Sequence, residues 1–139
     1  MKNNIIDLIL KSTSTKDARL IGVEIENFVY GKNGKRITVN PSSHYSASDL
    51  LYDLINDKEK NDEKYDYSIE PGGQIEWASA PYISLQDIYT EYTRHLNNLS
   101  DHLENNKLFT ISSTVEPISS PDSIELIDNT KYQLMDNMF

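Results

Sequence analysis

Apolar residues recur along the chain with two periods, and the switches between them predict the elements. Residues 2–11 (KNNIIDLILK) place Ile5, Ile6, Ile9 and Leu10 on one stripe of a short amphipathic helix, followed by the polar connector STSTKDA. Residues 19–30 (RLIGVEIENFVY) alternate instead. Ile21, Val23, Ile25 and Val29 face one way and Gly22, Glu24, Glu26 and Phe28 the other, which predicts a strand. GKNGKR (31–36) reads as a turn, since its glycines and Asn33 tolerate positive φ. RITVN (36–40) is either the return strand of a hairpin or part of a longer loop before Pro41. Ser46 or Ser48 caps a helix that runs to about Asn56, with Leu50, Leu51, Leu54 and Ile55 as its buried stripe. The mixed-charge run 57–64 reads as a solvated loop.

The second half repeats the pattern. Residues 67–81 (YSIEPGGQIEWASAP) begin extended, because Pro71 biases Glu70 away from helix, and bend at Gly72-Gly73. They then alternate again, with Ile75 and Trp77 on one side and Gln74, Glu76 and Ala78 on the other. From an N-cap at Ser84, Leu85, Ile88, Tyr89, Tyr92, Leu96, Leu99 and Leu103 keep one helical stripe as far as Asn105-Asn106. LFTIS (108–112) is a short strand, and a loop with Pro117 and Pro121 follows. A last helix starts near Thr130 with Tyr132, Met135 and Phe139 on one face. The order predicts an α+β fold with a largely antiparallel sheet and flanking helices.

Composition narrows the function. The 139 residues are one domain's worth, and 22 acids against 13 Lys and Arg give a net charge of −9. That balance argues against nucleic acid, whose phosphates need basic partners. No apolar run approaches the ~18 residues of a membrane span, and the N-terminus makes a poor secretory signal. With no cysteine there is no disulfide, thiolate metal site or thiol nucleophile. The expectation is a soluble, cytoplasmic domain in which a few acids hold cations.

Two strands nominate those acids. Glu24 and Glu26 share a face at roughly 7 Å spacing, as do Gln74 and Glu76, with Glu70 just before the bend. Paired side by side, the strands would gather four carboxylates and one amide on one surface. Carboxylates that close repel one another, and a hard divalent cation such as Mg²⁺ relieves this, as at a nucleotide-dependent phosphoryl-transfer site. The competing interpretation is an ordinary solvated sheet face, which E-x-E alone favours. The EPGGQ segment shifts the balance, since Pro and two Gly weaken a strand unless the backbone must bend or approach something closely. His44, His95 and His102 read as surface or boundary residues, Tyr89 and Tyr92 as core edge, and Trp77 as packing beneath the sheet. GKNGK lacks phosphate-loop spacing.

At these residues the chain resembles a family. IGVEIENFVYG (21–31), SIEPGGQIEWASAP (68–81) and KYQLMDNMF (131–139) look like the successive signatures of plant-type glutamate–cysteine ligase, within the glutamine-synthetase-like carboxylate–amine ligases. The resemblance covers about residues 20–139, and EPGGQ-x-E is its most specific part. It implies a glutamine synthetase-like catalytic fold and an ATP-dependent ligase. Such an enzyme phosphorylates the γ-carboxylate of L-glutamate, and the amine of L-cysteine displaces the phosphate to give γ-glutamylcysteine, the first step of glutathione synthesis. By position it makes Glu24, Glu26 and Glu76 catalytic Mg²⁺ ligands. Glu70 and Gln74 would bind metal or hold glutamate, and Lys131 stands where the family often has Arg and would touch an anionic group. Two departures stand out. Phe28 follows Asn27 where the family often carries Lys nearby, and the family continues with further sheet strands after its KYQLM-type helix. Residues 1–139 therefore read as the N-terminal part of a single catalytic domain, incomplete at the C-terminus. The alternatives are another carboxylate–amine ligase of the same fold, or a truncated or split non-catalytic domain that needs a partner chain.

Overall fold

Alternation and helical stripes both resolve into regular elements in the computed structural model, which describes residues 5–6 and 19–138. Of the helix expected over 2–11, only Ile5 and Ile6 are described, both helical; the connector 12–18 and Phe139 lie outside the described residues. The elements are β1 (Glu24–Gly31), α1 (Ala47–Lys60), β2 (Asp66–Glu70), β3 (Gln74–Ala78), α2 (Leu85–Asn105), β4 (Leu108–Ile111), a 3-10 turn (Pro121–Ser123) and α3 (Thr130–Asp136). The strands form one antiparallel sheet in the order β2-β3-β1-β4. This is the expected α+β class.

Strand β1 is shared between two partners. Its residues 24–27 pair with β3 and its residues 28–31 with β4. RITVN forms no return strand. It makes a single bridge, Tyr30 to Arg36, plus the bond from Ile37 N–H to the Val29 carbonyl at 3.3 Å, and continues as a loop. The hairpin of β2 and β3 already occupies that side of β1 over its first half, so little ladder is left to join.

Helix α1 begins with a capping box. The Ser46 hydroxyl accepts the Asp49 N–H at 3.1 Å, while the Asp49 carboxylate accepts the Ser46 N–H at 2.9 Å. The helix runs to Lys60, four residues beyond the expected end at Asn56. Lys58 and Lys60 in its last turn complement the negative end of the helix dipole, so residues 57–60 of the charged run extend the helix, while 61–64 form the turn and loop expected.

The core lies between helices α1 and α2 and one face of the sheet. Val29, Tyr67, Ile75 and Trp77 meet Ala47, Leu50 and Leu54 of α1 and Ile88 and Leu99 of α2. Trp77 is fully buried, as expected for a residue beneath the sheet. The buried line of α2 is rotated from the one its leucines suggest. Ile88, Glu91, His95 and Leu99 are buried, whereas Leu85, Tyr89 and Leu96 are exposed. Glu91 is tolerated inside because its carboxylate accepts the Ala80 N–H at 3.1 Å and the Tyr82 hydroxyl at 2.9 Å. No helix among the described residues is long and apolar enough to cross a membrane.

Candidate functional site

The sheet face turned away from α1 and α2 carries the acids. Alternation puts Glu24 and Glu26 of β1, Gln74 and Glu76 of β3, and Asp66, Ser68 and Glu70 of β2 on that face. Register then sets them in rows. Glu26 lies opposite Glu76, which lies opposite Ser68 on its other side. Gln74 lies opposite Glu70 across the hairpin. Pairing thus brings Glu26, Glu76, Gln74 and Glu70 together on one surface, with Glu24 two residues along β1 at its margin.

Hydrogen bonds fix part of this row. The Gln74 amide donates from Nε2 to Glu26 Oε2 at 2.8 Å. The Ser68 hydroxyl donates to Glu76 Oε1 at 2.8 Å and stands 3.5 Å from Glu70 Oε1. None of Glu24, Glu26, Glu70 and Glu76 takes part in an ion pair among the described residues. Beside Glu24 and Glu26 runs an open groove of about 750 Å³, completed by Ile25 and the hydroxyl-bearing Ser112, Ser113 and Thr114.

The donor set is all oxygen and carries uncompensated negative charge, which is the chemistry a hard cation such as Mg²⁺ takes. Among the described residues no three Asp, Glu, His or Cys side chains converge on one point as a closed metal cage. The residues therefore suit a divalent ion in kind, with their oxygens spread along a row. Lys131, the remaining candidate, is exposed on α3, and its ammonium lies 5.2 Å from the centroid of the neighbouring Tyr132 ring. It makes no ion pair with the glutamates among the described residues.

The EPGGQ bend is the turn of the β2–β3 hairpin. The Gly73 N–H donates to the Glu70 carbonyl at 2.8 Å, with Pro71 and Gly72 between them. Gly72 has φ of 88° and Gly73 of 76°, the left-handed region open to glycine. Gly73 also packs tightly, since a Cβ there would sit 2.7 Å from Cγ2 of Val39. The two glycines thus serve the turn and its packing on the 36–40 loop.

One cluster escapes a reading of the sequence. The Arg36 guanidinium is nearly buried, with its side chain 11% exposed. It donates from Nη1 to Glu116 Oε2 at 2.7 Å and from Nη2 to the Gly72 carbonyl, and it lies 4.8 Å from the Phe28 ring centroid. Glu116 Oε1 also accepts the Tyr30 hydroxyl at 2.5 Å and the N–H groups of Ile118 and Ser119, each at 2.9 Å. Burial alone would raise the Glu116 pKa, but the bonds from Tyr30, Ser119, Ile118 and Arg36 bring it down to about 2. Burial, reinforced by the bond to Glu116, pushes the Tyr30 hydroxyl up to about 12. Arg36 and Glu116 stand 80 residues apart in the chain, so no local pattern announces the pair.

A comparison with protein families places the chain among ligases, since the model for Glutamate-cysteine ligase family 2 (GCS2) matches residues 20–139. The chain belongs to glutamate-cysteine ligase family 2. No curated protein matches it.

Proposed function

We propose that the chain serves the ATP- and Mg²⁺-dependent ligation of L-glutamate, through its γ-carboxylate, to the amino group of L-cysteine, the first step of glutathione biosynthesis. In this reading residues 1–139 form the N-terminal part of a single cytoplasmic catalytic domain. The γ-phosphoryl group of ATP passes to the γ-carboxylate of glutamate, releasing ADP. The amine then attacks the acyl phosphate, forms the amide bond, and expels phosphate with loss of a proton. Glu24, Glu26, Glu70 and Glu76 would hold Mg²⁺, which when bound supplies neutralisation of the phosphate charge. Gln74 and Glu70 orient glutamate, and Lys131 meets an anionic group of a substrate. The protein's contribution is positioning and fixed electrostatics.

The observation that carries this reading is the Glu26–Glu76 pair on adjacent strands, with the Gln74 amide on Glu26 and no basic partner for either acid among the described residues. Two measurements test it. Phosphate release with Mg-ATP, L-glutamate and a panel of amines is expected to be greatest with cysteine and lost in Glu76→Ala. A maximum with a different amine would point to another carboxylate–amine ligase. Melting temperature is expected to rise with Mg²⁺ and glutamate in the wild type and not in Glu76→Ala. Equal melting temperatures of the wild type with and without Mg²⁺ and glutamate would count against a formed site.

A second reading has its own observation. Residues 24–27 of β1 have a strand partner only in β3 among the described residues, so the sheet is open beside the site. This favours a chain that is non-catalytic alone and needs further strands, whether from a partner or from more chain, to turn over. Synthesis of γ-glutamylcysteine by the 139 residues unaided would sink that alternative.

A further inference from the structure

We propose that Arg36 is a positioning residue of the ligase site, holding the Pro71–Gly73 turn, and through it Gln74 and Glu70, in place against Glu26. The assignment rests on the function proposed above for the acidic row. The turn needs an outside anchor, because successive glycines with φ of 88° and 76° leave its backbone less constrained than the ladder on either side. Arg36 provides one at the Gly72 carbonyl. The same guanidinium lies 4.8 Å from the centroid of Phe28, which alternates onto the face of β1 that bears Glu24 and Glu26. One side chain therefore joins the hairpin that supplies Gln74 to the strand that supplies Glu26, and the 2.8 Å bond between those two spans the same junction. Packing of Gly73 on Val39 ties the turn to the loop that carries Arg36.

Charge separates this role from that of a ligand. Glu116 pairs with the guanidinium at 2.7 Å, so Arg36 carries no free charge with which to neutralise the glutamate row. Its planar fork reaches Glu116 and Gly72 together, whereas the ammonium of lysine is a point charge that cannot hold both in one geometry.

The test follows exchange of the Gln74 side-chain NH2 with water by NMR, in the full chain, for wild type, Arg36→Met, Arg36→Lys and Glu116→Gln. Far-UV circular dichroism and the Trp77 indole resonance report whether each variant is folded. Arg36→Met is expected to speed Gln74 exchange about tenfold with the Trp77 signal unchanged, and the other two variants to fall between. Folded Arg36→Met with wild-type exchange would overturn the proposal. Should Arg36→Met fail to fold, wild-type exchange in both Arg36→Lys and Glu116→Gln would overturn it instead. In the ligation assay, Arg36→Lys is expected to raise KM for L-glutamate about tenfold with kcat within about threefold. Faster Gln74 exchange with unchanged KM would reduce Arg36 to a fold contact and overturn its assignment to the site. If the wild type makes no amide product, the ligase reading fails for this chain, and the exchange measurement still decides whether Arg36 positions Gln74.

Discussion

His95 lies 1% exposed, its ring 5.4 Å from that of Trp77 and stacked on it, with Nδ1 2.9 Å from the Tyr67 hydroxyl. Its Nε2 is buried with no hydrogen-bond partner among the described residues, so a proton added there would find none of them to donate to. Burial accordingly holds its pKa down, to about 4 from an ordinary 6.5. The sign follows from linkage. The unfolded chain takes up the proton first, so the stability is fully present above pH 6.5 and is lost as pH falls toward about 4. Urea denaturation of the wild type is expected to show a loss on the order of 3 kcal/mol across that interval. His95→Phe, which cannot titrate, should flatten the dependence between about pH 6.5 and 4 and lose about 1 kcal/mol at neutral pH from the unpaired Tyr67 hydroxyl. An unchanged pH slope in the variant would place the effect elsewhere. In the sequence His95 reads as a boundary residue because Leu96, Leu99 and Leu103 outrank it in hydropathy. What makes its site is Trp77 and Tyr67, brought over it by the hairpin, and helical spacing carries no record of either.

The hairpin of β2 and β3 is legible in outline. Alternation gives both strands, and Pro71 and the glycines give the bend between them. That the bend is a tight turn between paired strands follows only from the register, Glu70 opposite Gln74. The helix ends are less legible, since the run after Asn56 has the composition of a loop and yet continues α1 to Lys60. The 36–40 segment keeps two readings open for a similar reason: its pairing depends on how much of β1 the hairpin leaves free. Glycine substitutions separate what the turn needs from what its packing needs. Gly34 has φ of 75° and open space for 4 Å around the position a Cβ would take, so Gly34→Ala is expected to cost only the strain of the left-handed backbone, about 1 kcal/mol. Gly73 has φ of 76° and would also drive its Cβ to 2.7 Å from Val39, so Gly73→Ala is expected to cost about 3 kcal/mol. Equal costs by urea denaturation would mean that the 36–40 loop yields freely and does not brace the turn.

At the scale of the molecule, the long segment between β4 and α3 has little regular structure, a single 3-10 turn at Pro121–Ser123, and is fastened largely by two carboxylates. Glu116 gathers Tyr30, Arg36 and the N–H groups of Ile118 and Ser119. Glu125 accepts the Val39 N–H at 2.7 Å, the Asn40 N–H at 3.3 Å and the Asn40 side-chain amide at 2.8 Å. The bonds to Tyr30, Arg36, Val39 and Asn40 join residues 80 or more apart, which is why the acidic row of the site could be read from alternation and its bracing could not. They also make the segment sensitive to acid. Burial opposes ionisation of both carboxylates, but their hydrogen bonds win, so both pKa values lie below the ordinary 4.5, that of Glu116 at about 2. A depressed carboxylate contributes stability that is present above its unfolded pKa and lost as pH falls through the folded one. The Glu116 fastening is therefore expected to weaken between pH 4.5 and about 2, a window that meets the His95 range of 6.5 to about 4 only at its upper end. Amide exchange measured as protection factors should show Val39, Asn40, Ile118 and Ser119 opening as pH falls below 4.5 while core amides such as Ile75 and Leu54 stay protected. Glu116→Gln combined with Glu125→Gln should open the same four amides at about pH 7, because it removes the charge that makes each bond strong. Loss of protection across the core at the same pH as the segment would instead make the chain one cooperative unit, and would show that these carboxylates brace the sheet as a whole.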